Sequence, residues 1–115
     1  MAITTRSIDD ATVLDLSGRF DVTAKQEVQD ALDHAFESGS THVILNLEGV
    51  PLVDSAALGL LAINHRKFKA IGGTISLLSP QPEVRLILDM AAMPKLIPSY
   101  STLPEALAQE KFSKA

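Results

Sequence analysis

The sequence predicts an α/β domain with a mixed, mostly parallel sheet of about five strands and four helices. Strand patterns alternate with helical patterns along most of the chain, and this alternation implies crossover connections between parallel strands. Residues 42–47 are almost continuously apolar, as expected of a strand that is buried on both faces of a sheet. Two short strand patterns near the start, separated by a turn, indicate an antiparallel hairpin at one edge.

The elements are expected in the order ββαβαβαβα. Thr23, with Gln26 three residues later, has the spacing of a capping box and is expected to start the first helix, which Gly39 stops. A second match, Thr102 with Glu105, is expected to start the last helix. The strands are expected at 3–8, 11–16, 42–47, 74–78 and 96–100, and the helices at 23–38, 56–70, 80–93 and from 102 onward.

Length and composition predict a single globular domain that spans residues 1–115. The chain has 46% hydrophobic and 21% charged residues, close to the globular average. It has no cysteine, which excludes disulfides, thiolate catalysis and cysteine-based zinc sites. The start does not resemble a signal peptide, and the longest apolar stretch, 56–63, is too short to span a bilayer. We therefore expect a cytoplasmic protein without membrane insertion.

The charge pattern argues against nucleic-acid binding. The net charge is −4, and the densest basic cluster, residues 65–69, lies at the end of a predicted helix. Cations are favoured there by the helix dipole, so the cluster is explained without a ligand. Because no dominant basic face is present, the electrostatic attraction to phosphates is small, and we expect no direct contact with nucleic acid.

Two loops are expected to carry the functional groups, because such groups collect beyond the carboxyl ends of the strands in open α/β sheets. These loops are residues 18–21 and 51–59. The second contains Asp54 and Ser55 immediately before a predicted helix. Taken alone, this pair is explained by helix capping.

The segment 53–61, Val-Asp-Ser-Ala-Ala-Leu-Gly-Leu-Leu, resembles the phosphorylation motif D-S-S-G-L-G of bacterial anti-sigma factor antagonists, a family of STAS domains. Three other features are similar to that family and occur in the same order. They are a G-x-x-D turn at 18–21, a Gly-Gly pair at 72–73 before an apolar strand, and a closing strand and helix after residue 90. Two positions depart from the motif, because the usual second serine and the usual glycine are Ala56 and Ala57.

The resemblance implies a partner-switching role without enzymatic activity. The unphosphorylated form of such a protein binds an anti-sigma serine kinase of the GHKL type and releases a sigma factor. Phosphorylation at Ser55 abolishes that binding, and a serine phosphatase restores it. Ala57 is expected to add a methyl group to the surface that a partner approaches. The expected partner-binding residues are Asp21, Asp54, Ser55, Ala57, Gly59, Leu60 and Ile63.

Leu60 and Ile63 enter that set through helix geometry. At about 100° per residue, Leu58, Leu61 and Phe68 fall on one face of the second helix. Leu60 and Ile63 then point nearly opposite. We expect them either to form a docking patch beside the phosphorylation site or to be covered by a neighbouring helix.

Ser55 is suited to a charge switch because the first turn of a helix has amide groups without intrahelical acceptors. Its hydroxyl is expected to cap those groups, and a phosphate there would receive the same hydrogen bonds. The phosphate would also add about −1.5 to −2 charges beside Asp54 and near Asp21. The surface would therefore change while the fold stays intact.

Enzyme classes find little support. The three histidines, His34, His42 and His65, are expected far from Ser55 as surface or capping residues, so no serine-hydrolase arrangement can form. P-loop and dinucleotide-binding glycine patterns are absent, and we expect neither a cofactor nor a metal site. The alternative function is a STAS scaffold subunit of a lipid- or anion-transport system, which does not depend on a phosphorylated serine.

Overall fold

A computed structural model describes the backbone of residues 1–114 and the side chains of residues 1–108. The helices and strands follow the predicted order. The strands are β1 (Ala2–Ile8), β2 (Ala11–Ser17), β3 (His42–Gly49), β4 (Thr74–Leu78) and β5 (Ser99–Tyr100). The helices are α1 (Lys25–Glu37), α2 (Ser55–Lys69), α3 (Pro82–Met90) and α4 (Leu103–Lys114), with a 3-10 turn at Met93–Lys95.

The strands form one sheet in the order β1-β2-β3-β4-β5 within the described chain. β1 runs antiparallel to β2, and every other neighbouring pair is parallel. The prediction of a mixed, mostly parallel sheet with a hairpin at one edge is confirmed. Because β2 and β3 run in the same direction, the loops that follow them leave the sheet at the same edge.

The helices cover the two faces of the sheet unequally. Alternate residues of a strand point to opposite faces, and β3 supplies apolar side chains to both. The cluster under α1, α2 and α3 includes Leu14, Leu45, Leu47, Leu77, Leu32, Leu61 and Leu88. The smaller cluster under α4 includes Val13, Ile44, Leu78 and Ala106. The sheet is therefore packed between three helices on one face and one on the other.

The start of α1 differs from the prediction. The N-cap residue is Ala24, whose side chain has no polar atom for capping. Thr23 instead donates its backbone N–H (3.0 Å) and its hydroxyl (2.5 Å) to Oδ1 of Asp21. The side chain of Gln26 donates to Asp30. The predicted capping box is wrong because the Asp21 carboxylate forms a local turn with Thr23, a known competitor of helix capping.

The last strand is shorter than predicted. Residues 96–100 are expected to be extended, but only Ser99–Tyr100 pair with β4. The 3-10 turn ends at Lys95, and Leu96, its C-cap residue, still has a right-handed helical backbone. Ile97, the next residue, is buried in the larger core cluster. Pro98 has no N–H group to donate to a ladder, which shortens the strand further.

The start of α4 agrees with the prediction. The Thr102 hydroxyl donates to Oε1 of Glu105 at 2.9 Å, and the Glu105 amide donates back to the Thr102 hydroxyl at 3.4 Å. The helix begins at the intervening Leu103. This capping box fixes the point at which the chain crosses to the other face of the sheet.

Candidate functional site

The two predicted functional loops meet at the carboxyl edge of the sheet. Phe20 and Val53 form a parallel bridge, and the Phe20 amide donates to the carbonyl of Leu52 at 2.9 Å. This bridge brings Asp21 level with Asp54, one residue further along each loop. The prediction that these loops lie together is confirmed.

Asp54 connects both loops to α2. It has extended backbone angles (φ −122°, ψ −174°) and is the N-cap residue of α2. Its Oδ1 accepts from the Ala57 amide at 3.0 Å, and its Oδ2 accepts from the Val22 amide at 3.0 Å. One carboxylate therefore caps the helix and also holds the neighbouring loop.

Ser55 is the first residue of α2 and is exposed to solvent. The prediction that its hydroxyl caps the helix is wrong, because Asp54 makes the capping hydrogen bond. The reason is geometric, since the N-cap residue precedes the first helical residue and Asp54 occupies that position. The Ser55 hydroxyl is consequently reachable, and its chemistry can change without the loss of the cap.

Asp21 adds a second carboxylate to this edge. Its carboxylate accepts from the Thr23 hydroxyl and amide, and those bonds, with the nearby charge of Arg19, lower its pKa below the usual value. A lowered pKa means that Asp21 is ionised at neutral pH. A negative group added at Ser55 would therefore lie among carboxylates.

The buried face of α2 differs from the predicted one. The residues that face the core are Ala57, Leu60, Leu61, Asn64 and Phe68. Leu60 is 1% exposed, so the prediction that it points outward is wrong. Ile63 is 63% exposed, which confirms its predicted outward position. The centre of the apolar stripe was misplaced because Asn64, a polar residue, lies on the core-facing side.

Ala57 does not alter the surface as expected. Its side chain is fully buried and belongs to the larger core cluster. The methyl group that replaces the usual glycine points into the protein, so the expectation that it reaches a partner surface is wrong. Only the backbone of Ala57 contributes to the site, through the bond to Asp54.

Gly59 lies one turn after Ser55 on the outward side of α2. A Cβ atom placed there would meet no other atom within 4 Å, and the backbone does not adopt a positive φ. A glycine inside a helix is less favourable than alanine by about 1 kcal/mol. The described part of the molecule therefore supplies no internal reason for a glycine at this position.

Two exposed apolar residues of the site escaped the sequence analysis. Val22 is 66% exposed and Leu52 is 43% exposed. Both lie in the loops beside Ser55, and their positions immediately after Asp21 and before Asp54 were the available signal. We refer to Val22, Leu52, Ser55, Gly59 and Ile63 together as the Ser55 surface.

The histidines are not part of this site. His42 begins β3, at the opposite end of the strand from the Ser55 loop, and its Nδ1 lies 2.8 Å from the Thr74 hydroxyl. It is 4% exposed, so the expectation of a surface or capping histidine is wrong for this residue. Among the described residues, no cluster of three or more histidine or acidic side chains could hold a metal ion.

Comparison with known proteins identifies the family of the chain. A STAS domain model matches residues 2–106. A STAS-domain containing protein from Pseudomonas aeruginosa is 33% identical over 98 residues, which cover 84% of this chain and 96% of that protein. An anti-sigma F factor antagonist from Paenibacillus polymyxa is 26% identical over 98 residues, 84% of each protein.

The fold is shared with a solved structure as well. The Bacillus cell fate determinant SpoIIAA in the phosphorylated form superposes with a TM-score of 0.71 at 24% sequence identity, covering 94% of this chain and 98% of that one. Since the family model matches most of the chain, the protein belongs to the STAS domain family. In the part of the chain described, no helix combines the length and the apolar character needed to cross a membrane.

Proposed function

We propose that this protein is an anti-sigma factor antagonist that is switched by phosphorylation of Ser55. Residues 1–115 act as one STAS domain. The unphosphorylated form binds an anti-sigma factor that is a serine kinase of the GHKL type, and this binding releases a sigma factor. The kinase transfers the γ-phosphoryl group of ATP to Oγ of Ser55, leaving ADP and a proton, and a serine phosphatase later hydrolyses the phosphate ester.

The observation that supports this proposal most strongly is the division of roles between Asp54 and Ser55. Asp54 provides the N-cap and the link to the Val22 amide, whereas the Ser55 side chain is exposed. A phosphate at Ser55 therefore leaves the structural hydrogen bonds of the site in place. The unpaired amides and the dipole of the first turn of α2 also favour an anion at this position.

The phosphate would change the surface rather than the fold. It carries about −1.5 to −2 charges at pH 7 and would lie beside the carboxylates of Asp54 and Asp21. A partner surface fitted to a neutral hydroxyl would have to bury this group among like charges. A loss of about 3 kcal/mol corresponds to more than a hundredfold weaker binding. One phosphate is therefore sufficient for a switch.

The remainder of the Ser55 surface is suited to protein binding. Val22 and Leu52 expose apolar side chains in the two loops, and Ile63 exposes one two turns along α2. Gly59 lets another chain approach the α2 backbone closely. The core of a protein interface is usually apolar and surrounded by a polar rim. Leu60 and Ala57 act indirectly, by fixing α2 to the core.

This role requires binding and no catalysis by the chain itself. His65 lies ten residues along α2 from Ser55, about 15 Å at the helical rise, so it cannot serve as a base for that hydroxyl. We propose that the protein works in the cytoplasm without a cofactor and that it contacts neither nucleic acid nor the membrane interior.

The proposal is tested with purified GHKL-type kinase domains encoded in the same genome. One of them, with ATP, is expected to add a single phosphate at Ser55, located by mass spectrometry of proteolytic peptides. Ser55→Ala is expected to bind that kinase constitutively, and Ser55→Asp is expected to bind it poorly. Ser101→Ala, which removes an exposed hydroxyl between β5 and α4, is the matched control and should behave as the unmodified protein.

Equal affinity of Ser55→Ala and Ser55→Asp for the kinase would refute the switch. The competing scaffold function in lipid or anion transport predicts that none of the kinases modifies the protein. It predicts instead that the protein copurifies with transport subunits and that both Ser55 variants still do so.

A further inference from the structure

The outer edge of β1 is open. Within the described residues, β1 pairs with β2 on one side, and no strand pairs with its other side. All 7 residues of β1 take part in the ladder with β2, from Ala2 to Ile8. The other side of the strand therefore presents backbone N–H and carbonyl groups that can pair with another strand.

β1 lacks the features that usually protect an edge strand. Proline, β-bulges and charged side chains at the edge commonly prevent pairing with another chain. β1 contains no proline, and its register with β2 is continuous. Arg6 is its one charged residue, and Asp15 of β2 holds the guanidinium at 2.7 Å and 3.0 Å. The guanidinium thus lies across the sheet face toward β2 rather than along the open edge.

A groove of about 430 Å³ adjoins this edge. Its walls include Thr5 and Ser7 of β1, Thr12 of β2, Asp30 and His34 of α1, and Ser38 just after α1. Thr5 and Ser7 are two residues apart, so they share one face of β1. A strand added beside β1 would direct every second side chain to that same face, over or next to the groove.

The charges around the groove favour a basic occupant. Asp30 is the acidic side chain in its wall, and none of the described residues that line it is a lysine or an arginine. Glu27 lies one turn earlier on α1, and Asp9 and Asp10 form the β1–β2 turn next to Ser7. Gln26 donates to Oδ1 of Asp30 at 2.8 Å, which leaves the second carboxylate oxygen available to a cation.

We propose that the open edge of β1 and the adjoining groove form a docking site for an extended, basic segment of a partner protein. The segment adds to the sheet beside β1 through main-chain hydrogen bonds and places lysine or arginine side chains against Asp30. Strand addition of this kind obtains affinity from the backbone and specificity from alternate side chains. The length of β1 allows about seven residues to pair.

This site is separate from the Ser55 surface and does not depend on the proposed function. The groove lies near the start of β2, because Ser7 in its wall pairs with Thr12. The Ser55 surface lies beyond the other ends of the strands, in the loops that follow β2 and β3. A segment bound at β1 would leave Ser55 accessible. The protein could then hold one partner along the β1 edge and another at the Ser55 surface.

The probe is a heptapeptide with blocked ends and the sequence Thr-Lys-Thr-Lys-Thr-Lys-Thr, titrated at low ionic strength while the protein's backbone amides are observed by NMR. We expect shift changes confined to β1 and to α1 near Asp30, with slower hydrogen exchange in β1. The same peptide with glutamate in place of lysine should cause no change. Asp30→Asn should weaken binding about threefold, as for a partly exposed ion pair.

Two matched comparisons complete the test. Asp89→Asn makes the same charge change at an exposed position on α3 and should leave the affinity unchanged. Thr4→Pro and Thr5→Pro each remove one backbone N–H group from β1. Because successive N–H groups of an antiparallel strand point to opposite sides, one of the two faces β2 and the other faces the open edge. The variant that keeps the native melting temperature should lose peptide binding.

Several results would overturn the docking site. They are the absence of binding, equal binding of the lysine and glutamate peptides, and an equal effect of Asp30→Asn and Asp89→Asn. Shift changes in β1 that depend on protein concentration without peptide would show that the occupant is a second copy of the chain. None of these results bears on Ser55, so the two proposals fail separately.

Discussion

At the scale of single residues, Asp54 has a structural role, and the proposed regulatory role falls to its neighbour Ser55. Asp54 accepts two backbone N–H groups from two different segments, whereas Ser55 has an exposed hydroxyl at the first position of α2. The sequence located this pair but could not assign the cap, because serine and aspartate are about equally good N-cap residues. Because α2 starts at Ser55, one residue earlier than predicted, Asp54 is the N-cap residue.

Gly59 gives a prediction in which stability and binding change in opposite directions. Gly59→Ala is expected to raise the free energy of unfolding by up to about 1 kcal/mol, because alanine is the better helix former. The added methyl group projects into open space and is expected to weaken binding of the kinase partner by obstructing close approach. Denaturant unfolding and a binding titration on the same sample measure both effects.

The control for Gly59 is Gly72, which lies just beyond the C-terminal end of α2. Gly72 also has open space where a Cβ would stand, but its φ is +77°. Gly72→Ala is therefore expected to lower the stability by about 1 kcal/mol and to leave partner binding unchanged. If Gly59→Ala bound the partner as tightly as the unmodified protein, Gly59 would have no role in the interface.

At the scale of secondary-structure elements, α2 shows where sequence patterns mislead. Asn64 is 1% exposed and forms a reciprocal amide pair with Gln29 of α1, with N···O distances of 2.8 Å and 3.1 Å. Its Nδ2 also donates to the carbonyl of Leu60 at 2.8 Å. A buried polar residue that satisfies its hydrogen bonds across a helix pair looks, in a sequence, like a surface residue.

The α1–α2 amide pair is expected to be important for stability. Asn64→Ala removes both hydrogen bonds to Gln29, whose Nε2 keeps its bond to Asp33, and is expected to lower the free energy of unfolding by about 1–3 kcal/mol. Gln29→Ala is expected to have a similar effect, and the double variant should be less destabilised than the sum of the two. Chemical denaturation of the three variants provides the measurement.

Gln26→Ala is the matched control for this pair. Gln26 lies on the exposed side of α1 and contacts Asp30, so its removal is expected to change the stability by less than about 0.5 kcal/mol. Strict additivity of Asn64→Ala and Gln29→Ala would show that the two amides stabilise the fold independently of each other.

The type and order of the elements were predictable because they depend on repeated apolar patterns, whereas their ends depend on individual side-chain contacts. The buried strand β3 and the hairpin at the edge were evident from periodicity alone. The start of α1 was not, because Asp21 engages Thr23 in a turn that competes with the capping box. The short β5 follows from proline positions and from burial of Ile97, which are tertiary effects.

The candidate site was predictable in its location and only partly in its surface. The loops after β2 and β3 had to meet, because parallel strands end at the same edge. Which side chains of α2 face outward could not be derived, since this depends on the rotation of the helix about its axis. That rotation places Leu60 and Ala57 in the core and leaves Ile63 outside.

At the scale of the whole molecule, a set of ionised carboxylates links stability to pH. Burial raises the pKa of Asp15, but hydrogen bonds from Arg6 and Asn46 and the charge of Arg6 outweigh it and lower the pKa overall. Hydrogen bonds from Gln29 and Lys67 lower the pKa of Asp33. Carboxylates with a lowered pKa stabilise the fold above their unfolded pKa and lose this effect as the pH falls through the folded value.

The protein is therefore expected to lose stability in acid. Its melting temperature should fall as the pH is lowered through and below about 4, the ordinary pKa of aspartate. The variant with both Asp15→Asn and Asp33→Asn should show a shallower decline, and the exposed Asp89→Asn should follow the unmodified protein. Thermal unfolding across this pH range, followed by circular dichroism, is the measurement; parallel curves for all three proteins would contradict the assignment.

The arrangement of the whole sheet is consistent with the proposal that folding and switching depend on separate parts of the protein. The core clusters lie beneath the helices and on both faces of the sheet, while Ser55 lies at the carboxyl edge, where two loops meet. We predict that a charge added at that edge leaves these core contacts in place. The account depends on this separation.

The most direct measurement compares the affinity of one purified kinase domain for the unmodified protein and for the protein phosphorylated at Ser55, by isothermal titration calorimetry. We predict at least a hundredfold weaker binding after phosphorylation, a difference of about 3 kcal/mol, with nearly unchanged melting temperatures of the two forms. Affinities that agree within about twofold, or a phosphorylated protein that no longer folds, would contradict the central claim.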